Sequence, residues 1–154
     1  MKLIYTAILA TAFAAPAFAD SHSMGDVDKG EKNYGKCKAC HAIVDDAGEV
    51  IQKGGKTGPN LYNIVGRQAG SVDGFKYGDS LVAAGEAGLI WDEATLAAYM
   101  TNPTDFLRET LDDQKARSKM SFKLRKGGED VAAYLASVSP AAGEGMAEEE
   151  PKSE

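Results

Sequence analysis

The chain has two cysteines, and both stand in Cys37-Lys38-Ala39-Cys40-His41. Nothing else in the sequence restricts the fold as strongly. Two thiols three positions apart share one side of a helical turn, and an imidazole follows directly. Cys-x-x-Cys-His is the attachment pattern of a c-type haem. The thiols can add to the two vinyl groups along one haem edge, and the histidine can then turn under the ring to bind iron. Other uses of a Cys-x-x-Cys pair find less support. A structural zinc site takes four ligands, and the only other histidine, His22, lies in a polar segment. A dithiol redox pair belongs beside a βαβ pattern, and no strand pattern flanks residues 37–41. A plain disulfide across two residues would close a strained, very small loop.

The first residues suit the same chemistry. Lys2 precedes an apolar run from Leu3 to Ala15, and Ala17-Phe18-Ala19 closes it with a small-x-small end. That is the pattern of a secretory signal, with cleavage expected after Ala19. The run falls short of the roughly 20 residues of a membrane span. Bacterial haem attachment takes place outside the cytoplasmic membrane, so signal and motif both point to the periplasm. The expected organisation is a signal peptide at 1–19, one domain at 20–139 and an acidic, disordered tail at 140–154.

Loss of Lys2 with the signal would turn the chain's net charge of −6 into −7. That balance argues against nucleic acid as a partner. The charge is unevenly spread. Lys115, Arg117, Lys119, Lys123, Arg125 and Lys126 fall within twelve residues that hold no acid, and Lys36, Lys38, Lys53 and Lys56 flank the haem motif. Acids collect in the tail at Glu144, Glu148, Glu149, Glu150 and Glu154. One-signed clusters steer partners in a salt-dependent way. The expected docking residues are Lys36, Lys38, Lys56, Lys115, Lys119 and Lys123.

Local patterns predict short helices separated by long loops. Asp26 can cap a helix running to Lys36, with Val27, Gly30 and Tyr34 on one face. Residues 42–58 read as loop, and Pro59 to Val65 as one or two helical turns. Gly66, Gly70, Gly74 and Gly78 mark further loop. A helix is expected over Asp79 to Glu86, another over Asp92 to Met100 with Asp92 as its cap, and a break at Asn102-Pro103. Pro103 then suits the first turn of a helix to about Thr110. Residues 111–126 form a basic loop, and a last helix runs from Glu129 to Val138. No strand stands out. The outcome is a small all-α domain, rich in loops, wrapped around its cofactor.

His41 would fill one axial position on the iron, and a thioether is the remaining soft donor for the other. Met24 and Met146 lie in the expected tails, Met100 falls on an amphipathic helix, and Met120 lies in the basic loop. A loop methionine is free to swing over the haem, whereas one on a helix is ordinarily a core residue. Residue types alone leave Met100 and Met120 both open.

Over about residues 25–138 the chain resembles the class I cytochromes c. Gly25-Asp26-Val27 with Gly30 and Tyr34 is similar to the family's first helix, and Thr57-Gly58-Pro59-Asn60-Leu61 to the segment after its haem motif. Gly66-Arg67, Gly74-Phe75-Lys76-Tyr77, Trp91 and Tyr99-Met100-Thr101-Asn102-Pro103 follow in family order. Lys119-Met120-Ser121-Phe122 resembles the loop that bears the methionine ligand, and Glu129 to Leu135 the final helix. The resemblance implies the cytochrome c fold, with one haem c bound through Cys37 and Cys40 and axial ligation by His41 and Met120. It further implies that Pro59 accepts from His41, that Arg67, Tyr77 and Trp91 hold the propionates, and that Tyr99 donates toward the Met120 sulfur. Gly30 and Tyr34 would pack on Tyr134 where the first and last helices cross. Residues 45–51 and about 109–117 are longer than in the mitochondrial proteins and resemble the larger α-proteobacterial carriers. The implied function is one-electron transfer, not catalysis. The expected partners are membrane redox complexes: a cytochrome bc complex, a terminal oxidase, a reductase or a photosynthetic reaction centre. The rival, a peroxidase-like or gas-binding haem protein, needs an open iron site and a distal acid–base group.

Overall fold

A computed structural model describes residues 24–140. The expected signal at 1–19, His22, Met146 and all of the acidic tail except Pro140 lie outside the described residues. Five helices and one short ribbon follow in order: α1 Val27–Tyr34, β1 Ile43–Val44, β2 Val50–Gln52, α2 Asp79–Glu86, α3 Glu93–Thr101, α4 Pro103–Leu111 and α5 Gly128–Ser137. Among the described residues no helix is long and apolar enough to cross a membrane.

Helices of eight to ten residues are too short to persist alone, so packing has to hold them. Helix α5 is the centre: it crosses α1 on one side and packs on α3 on the other. Its Val131, Ala132, Tyr134 and Leu135 are buried together with Tyr34 of α1 and Leu96 and Ala97 of α3. The α1–α5 crossing is close because Gly30 has no side chain. A methyl there would overlap the Asp130 carbonyl oxygen and come within 2.7 Å of Tyr134 Cβ. Above the crossing the rings of Tyr34 and Tyr134 lie 5.7 Å apart.

Caps set the helix ends. Asp26 accepts from the Lys29 amide at 3.0 Å. Asp92 and Thr95 form a reciprocal capping box, with the Thr95 amide donating to Asp92 at 2.7 Å and the Asp92 amide to Thr95 Oγ1 at 2.9 Å. Asn102 ends α3 and caps α4, whose first residue is Pro103. Helix α2 occupies the expected residues 79–86.

Four local expectations need correction. Helix α1 stops at Tyr34, and turns instead of helix carry the chain through Lys36 to Cys40. Val27 is 38% exposed, so only Gly30 and Tyr34 of its expected face are buried. Residues 42–58 contain an antiparallel ribbon, with Ile43 opposite Gln52 and Val44 opposite Val50. Strands of two and three residues leave no readable alternation. The side chain of Asn60 extends the ribbon, accepting from the Val44 amide at 3.0 Å and donating to its carbonyl at 2.6 Å. Residues 59–65 form turns, not helix, and Asn63 takes a left-handed φ of 54° that a helix does not allow.

Gly30→Ala should therefore destabilise the protein by about 1–3 kcal/mol or more, the range for overpacking; a lower urea midpoint with an unchanged slope is the expected result. Asp92→Ala should cost about 1 kcal/mol at neutral pH. Hydrogen bonds from the Thr95 amide hold the folded-state pKa of Asp92 below its usual 3.8. Its contribution is thus complete above the ordinary carboxylate range and fades as pH falls through the depressed value. Denaturation of both proteins at neutral and acid pH should show the gap between them close in acid.

Candidate haem site

The attachment motif follows α1 as a run of turns. The Cys37 amide donates to the Tyr34 carbonyl at 2.8 Å, and the amides of Cys40 and His41 donate to the Cys37 carbonyl at 3.0 and 2.9 Å. This winding places both thiols on one turn. They are free, Cys37 half-buried and Cys40 exposed. Burial pushes the Cys37 thiol up to about 11. A glycine-rich segment wraps the motif. Gly55 and Gly58 donate their amides to the carbonyls of Lys38 and Cys40 at 2.9 and 2.8 Å. A methyl on Gly54 would overlap the His41 carbonyl.

His41 is held at three points. Its ring Nδ1 lies 2.8 Å from the Pro59 carbonyl oxygen. A carbonyl only accepts, so Nδ1 carries the proton and Nε2 keeps its lone pair. The Tyr34 hydroxyl donates to the His41 carbonyl at 3.3 Å. Gly58 lies against the ring, and a methyl there would overlap Cε1 and come within 2.7 Å of Nε2. Burial lowers the His41 pKa, while the bond to Pro59 pulls it the other way. The expected Pro59 contact is present.

Met120 sits half-buried against the core. Its amide donates to Ser118 Oγ at 3.1 Å, and the same oxygen lies 2.9 Å from the Tyr99 hydroxyl. Tyr99 therefore reaches Met120 through Ser118. Sequence reasoning missed Ser118; its position two residues before Met120 was the only signal. Met100, the other candidate thioether, is buried on α3, and its carbonyl accepts from the Leu124 amide at 2.7 Å.

The three expected propionate residues belong to neighbouring segments. Arg67 donates Nε to the Asn63 carbonyl at 3.2 Å, Nη1 to that of Asn60 at 3.3 Å and Nη2 to that of Tyr62. Burial lowers its pKa, and nearby Tyr77 and Asp46 oppose that shift. Trp91 is 5% exposed, and its amide donates to the Arg67 carbonyl at 2.9 Å. Its ring lies 5.2 Å from Tyr99 and stacks on Phe106 at 6.0 Å. Tyr77 is half-buried with its ring edge-on to Phe75 at 4.8 Å.

All six expected docking lysines are exposed. Two are also bonded: Lys36 Nζ donates to Asn33 Oδ1 at 3.2 Å, and Lys119 Nζ donates to the carbonyls of Tyr77 at 2.8 Å and Lys76 at 3.1 Å.

No family model matches the chain. It is 63% identical over 133 residues to cytochrome c-551 of Roseobacter denitrificans, across 86% of this chain and 92% of that protein. It is 56% identical over 140 residues to cytochrome c2 of Rhodobacter capsulatus, across 90% of this chain and 98% of that one. The chain belongs to the class I c-type cytochromes. A solved structure of cytochrome c2 from Rhodobacter capsulatus matches with a TM-score of 0.73 and 59% identity, over 74% of this chain and 98% of the other. That of cytochrome c2 from Paracoccus denitrificans matches with a TM-score of 0.75 and 50% identity, over 77% and 99%. The fold is that of cytochrome c2, and the protein is a soluble electron carrier with one covalently bound haem c, not an enzyme.

The residues present fit that group. Two free thiols share one turn, the His41 tautomer leaves Nε2 as the donor, and Gly58 keeps the flank of that ring clear. Gly58→Ala should force the ring from the Pro59 carbonyl and lower stability by about 1–3 kcal/mol. Guanidinium unfolding of the haem-loaded protein checks this: a midpoint equal to the parent's would contradict it.

Proposed function

We propose that Cys37 and Cys40 carry the haem as thioethers, that His41 and Met120 occupy both axial positions on its iron, and that the protein carries single electrons through the periplasm. The observation that best supports this is the bond from His41 Nδ1 to the Pro59 carbonyl, which turns Nε2 into a fixed, basic donor. Haem supplies the one-electron couple, and a Met/His donor pair raises its potential. The protein's part is to keep both donors in place in either oxidation state, so that electron transfer entails little rearrangement. The motif turn, the Tyr34 hydroxyl and Pro59 hold His41. Ser118 and Tyr99 hold the Met120 backbone.

Arg67, Tyr77 and Trp91 are the proposed partners of the propionates, which are costly to bury unpaired. Three N–H groups of Arg67 go to carbonyls, leaving two of the five that a guanidinium has. The lysines Lys36, Lys38, Lys56, Lys115, Lys119 and Lys123 are exposed, and they are the proposed positive docking face. That face suits brief, salt-sensitive encounters of a monomer with acidic surfaces of membrane redox complexes: a cytochrome bc complex, a terminal oxidase, a reductase or a photosynthetic reaction centre. Export by a signal cleaved after Ala19 would deliver the domain of residues 20–139, with its acidic tail, to that compartment.

The test is the visible spectrum of the reduced protein before and after carbon monoxide. The parent should show no change, and Met120→Ala should bind the gas and shift. A shift in the parent would mean an open axial position and would redirect the reading to gas binding or peroxidase-like chemistry.

A further inference from the structure

We propose that Lys119 is a positioning residue for Met120: its ammonium latches the methionine loop to the segment that carries Tyr77. The inference rests on Met120 being an axial ligand. It starts from the two bonds of Lys119 Nζ, to the Tyr77 carbonyl at 2.8 Å and the Lys76 carbonyl at 3.1 Å. Both acceptors are backbone groups, and both lie just before α2.

The stem of Lys119 has a seat of its own. A methyl on Gly78 would stand 3.2 Å from Lys119 Cγ, 3.7 Å from Cδ and 3.8 Å from Cε. Glycine at 78 thus lets the aliphatic chain lie along the backbone while its head reaches the two carbonyls. A second tie joins the same two segments, from the Arg117 amide to Ser80 Oγ at 3.0 Å. The residue between is anchored elsewhere: the Ser118 amide donates to Thr104 Oγ1 at 3.4 Å, and its hydroxyl meets Tyr99. Residues 117–119 therefore bond in turn to α2, to α3 and α4, and to the Tyr77 segment. Lys119 makes the last of these ties, directly beside Met120.

The Tyr77 segment is weakly bonded within itself. Phe75 donates its amide to Val72 at 3.3 Å, and Tyr77 to Phe75 at 3.2 Å. Hydrogen bonds from a charged donor are about twice as strong as neutral ones. Two of the three ammonium protons are spent on this bridge. Lys123 lies exposed three residues beyond Met120 and carries the same charge. Removing either lysine changes the net charge equally, but only removal of Lys119 undoes the latch.

The experiment titrates the ferric, haem-loaded protein with imidazole, which competes with Met120 for iron. The variants are Lys119→Gln, Lys119→Arg and Lys123→Gln. Lys119→Gln should bind imidazole about tenfold more tightly than the parent, a ratio worth about 1.4 kcal/mol. Lys119→Arg, which restores a charged donor, should return most of the way to the parent, and Lys123→Gln should match the parent. Equal binding by Lys119→Gln and Lys123→Gln, whether raised or not, would overturn the latch. Carbon monoxide binding by the reduced parent separates the two levels. A closed parent with an unaltered Lys119→Gln removes the latch alone, whereas an open parent removes Met120 ligation and the latch with it.

Discussion

The hydrogen bond between His41 Nδ1 and the Pro59 carbonyl joins the attachment motif to the rest of the chain. Burial alone would leave this imidazole free to choose its tautomer and its angle. The carbonyl removes both freedoms. The His41 backbone is as constrained as its ring, with its amide on the Cys37 carbonyl and its own carbonyl taking the Tyr34 hydroxyl. Tyr34 in turn is fully buried in the α1–α5 crossing, its ring 5.7 Å from Tyr134. The close α1–α5 contact thus continues through one phenol to the histidine. The close passage at Gly30 places that phenol, so a glycine well away from the motif bears on the geometry of His41.

Met120 is held in another way. The chain from Asp112 to Gly127 has no regular secondary structure, so no backbone ladder positions it. Two apolar anchors pin the loop, Ala116 at 2% exposure and Leu124 at 4%. Between them, polar side chains from α2, α3 and α4 tie residues 117 and 118. Backbone turns fix the histidine side and tertiary hydrogen bonds the methionine side. Local opening draws on the least cooperative contacts first. On the proposed His41 and Met120 ligation, the methionine side is the one that gives way if an axial position opens.

Much of this could be read from the sequence because it is local. The attachment motif spans five residues, α2 occupies the eight expected, and the cap at Asp92 and the helix start at Pro103 announce themselves by residue type. What escaped notice is non-local. Ser118 meets Tyr99 nineteen positions away, and Lys119 meets Tyr77 forty-two positions away. No spacing rule reports such pairs. The ribbon escaped for a different reason: its strands are two and three residues long, and part of its pairing comes from the side chain of Asn60, in a segment that reads as one or two helical turns. The choice of Met120 over Met100 also lay beyond residue type. It came from the resemblance of the Lys119 to Phe122 segment to a known loop.

The ribbon itself explains how the segment after the motif can stiffen the molecule. Asp45 accepts from the Glu49 amide at 2.7 Å, and Gly48 supplies the left-handed φ of 84° that the tight return requires. Ile43, at the open end of the ribbon, is completely buried. Opposite it, Gln52 Nε2 donates to Tyr134 Oη at 2.9 Å and to Glu31 Oε1 at 3.1 Å. One amide therefore joins the segment behind His41 to α5 and α1 together. The chain returns from there through Gly54, seated against the His41 carbonyl, to Gly58 and Pro59 at the ring. The ribbon and the segment after it close a circuit that begins and ends at His41. A carrier whose donors must not shift with oxidation state gains from such a circuit, because moving the imidazole would require the ribbon, the helix crossing and the glycine-rich segment to move with it.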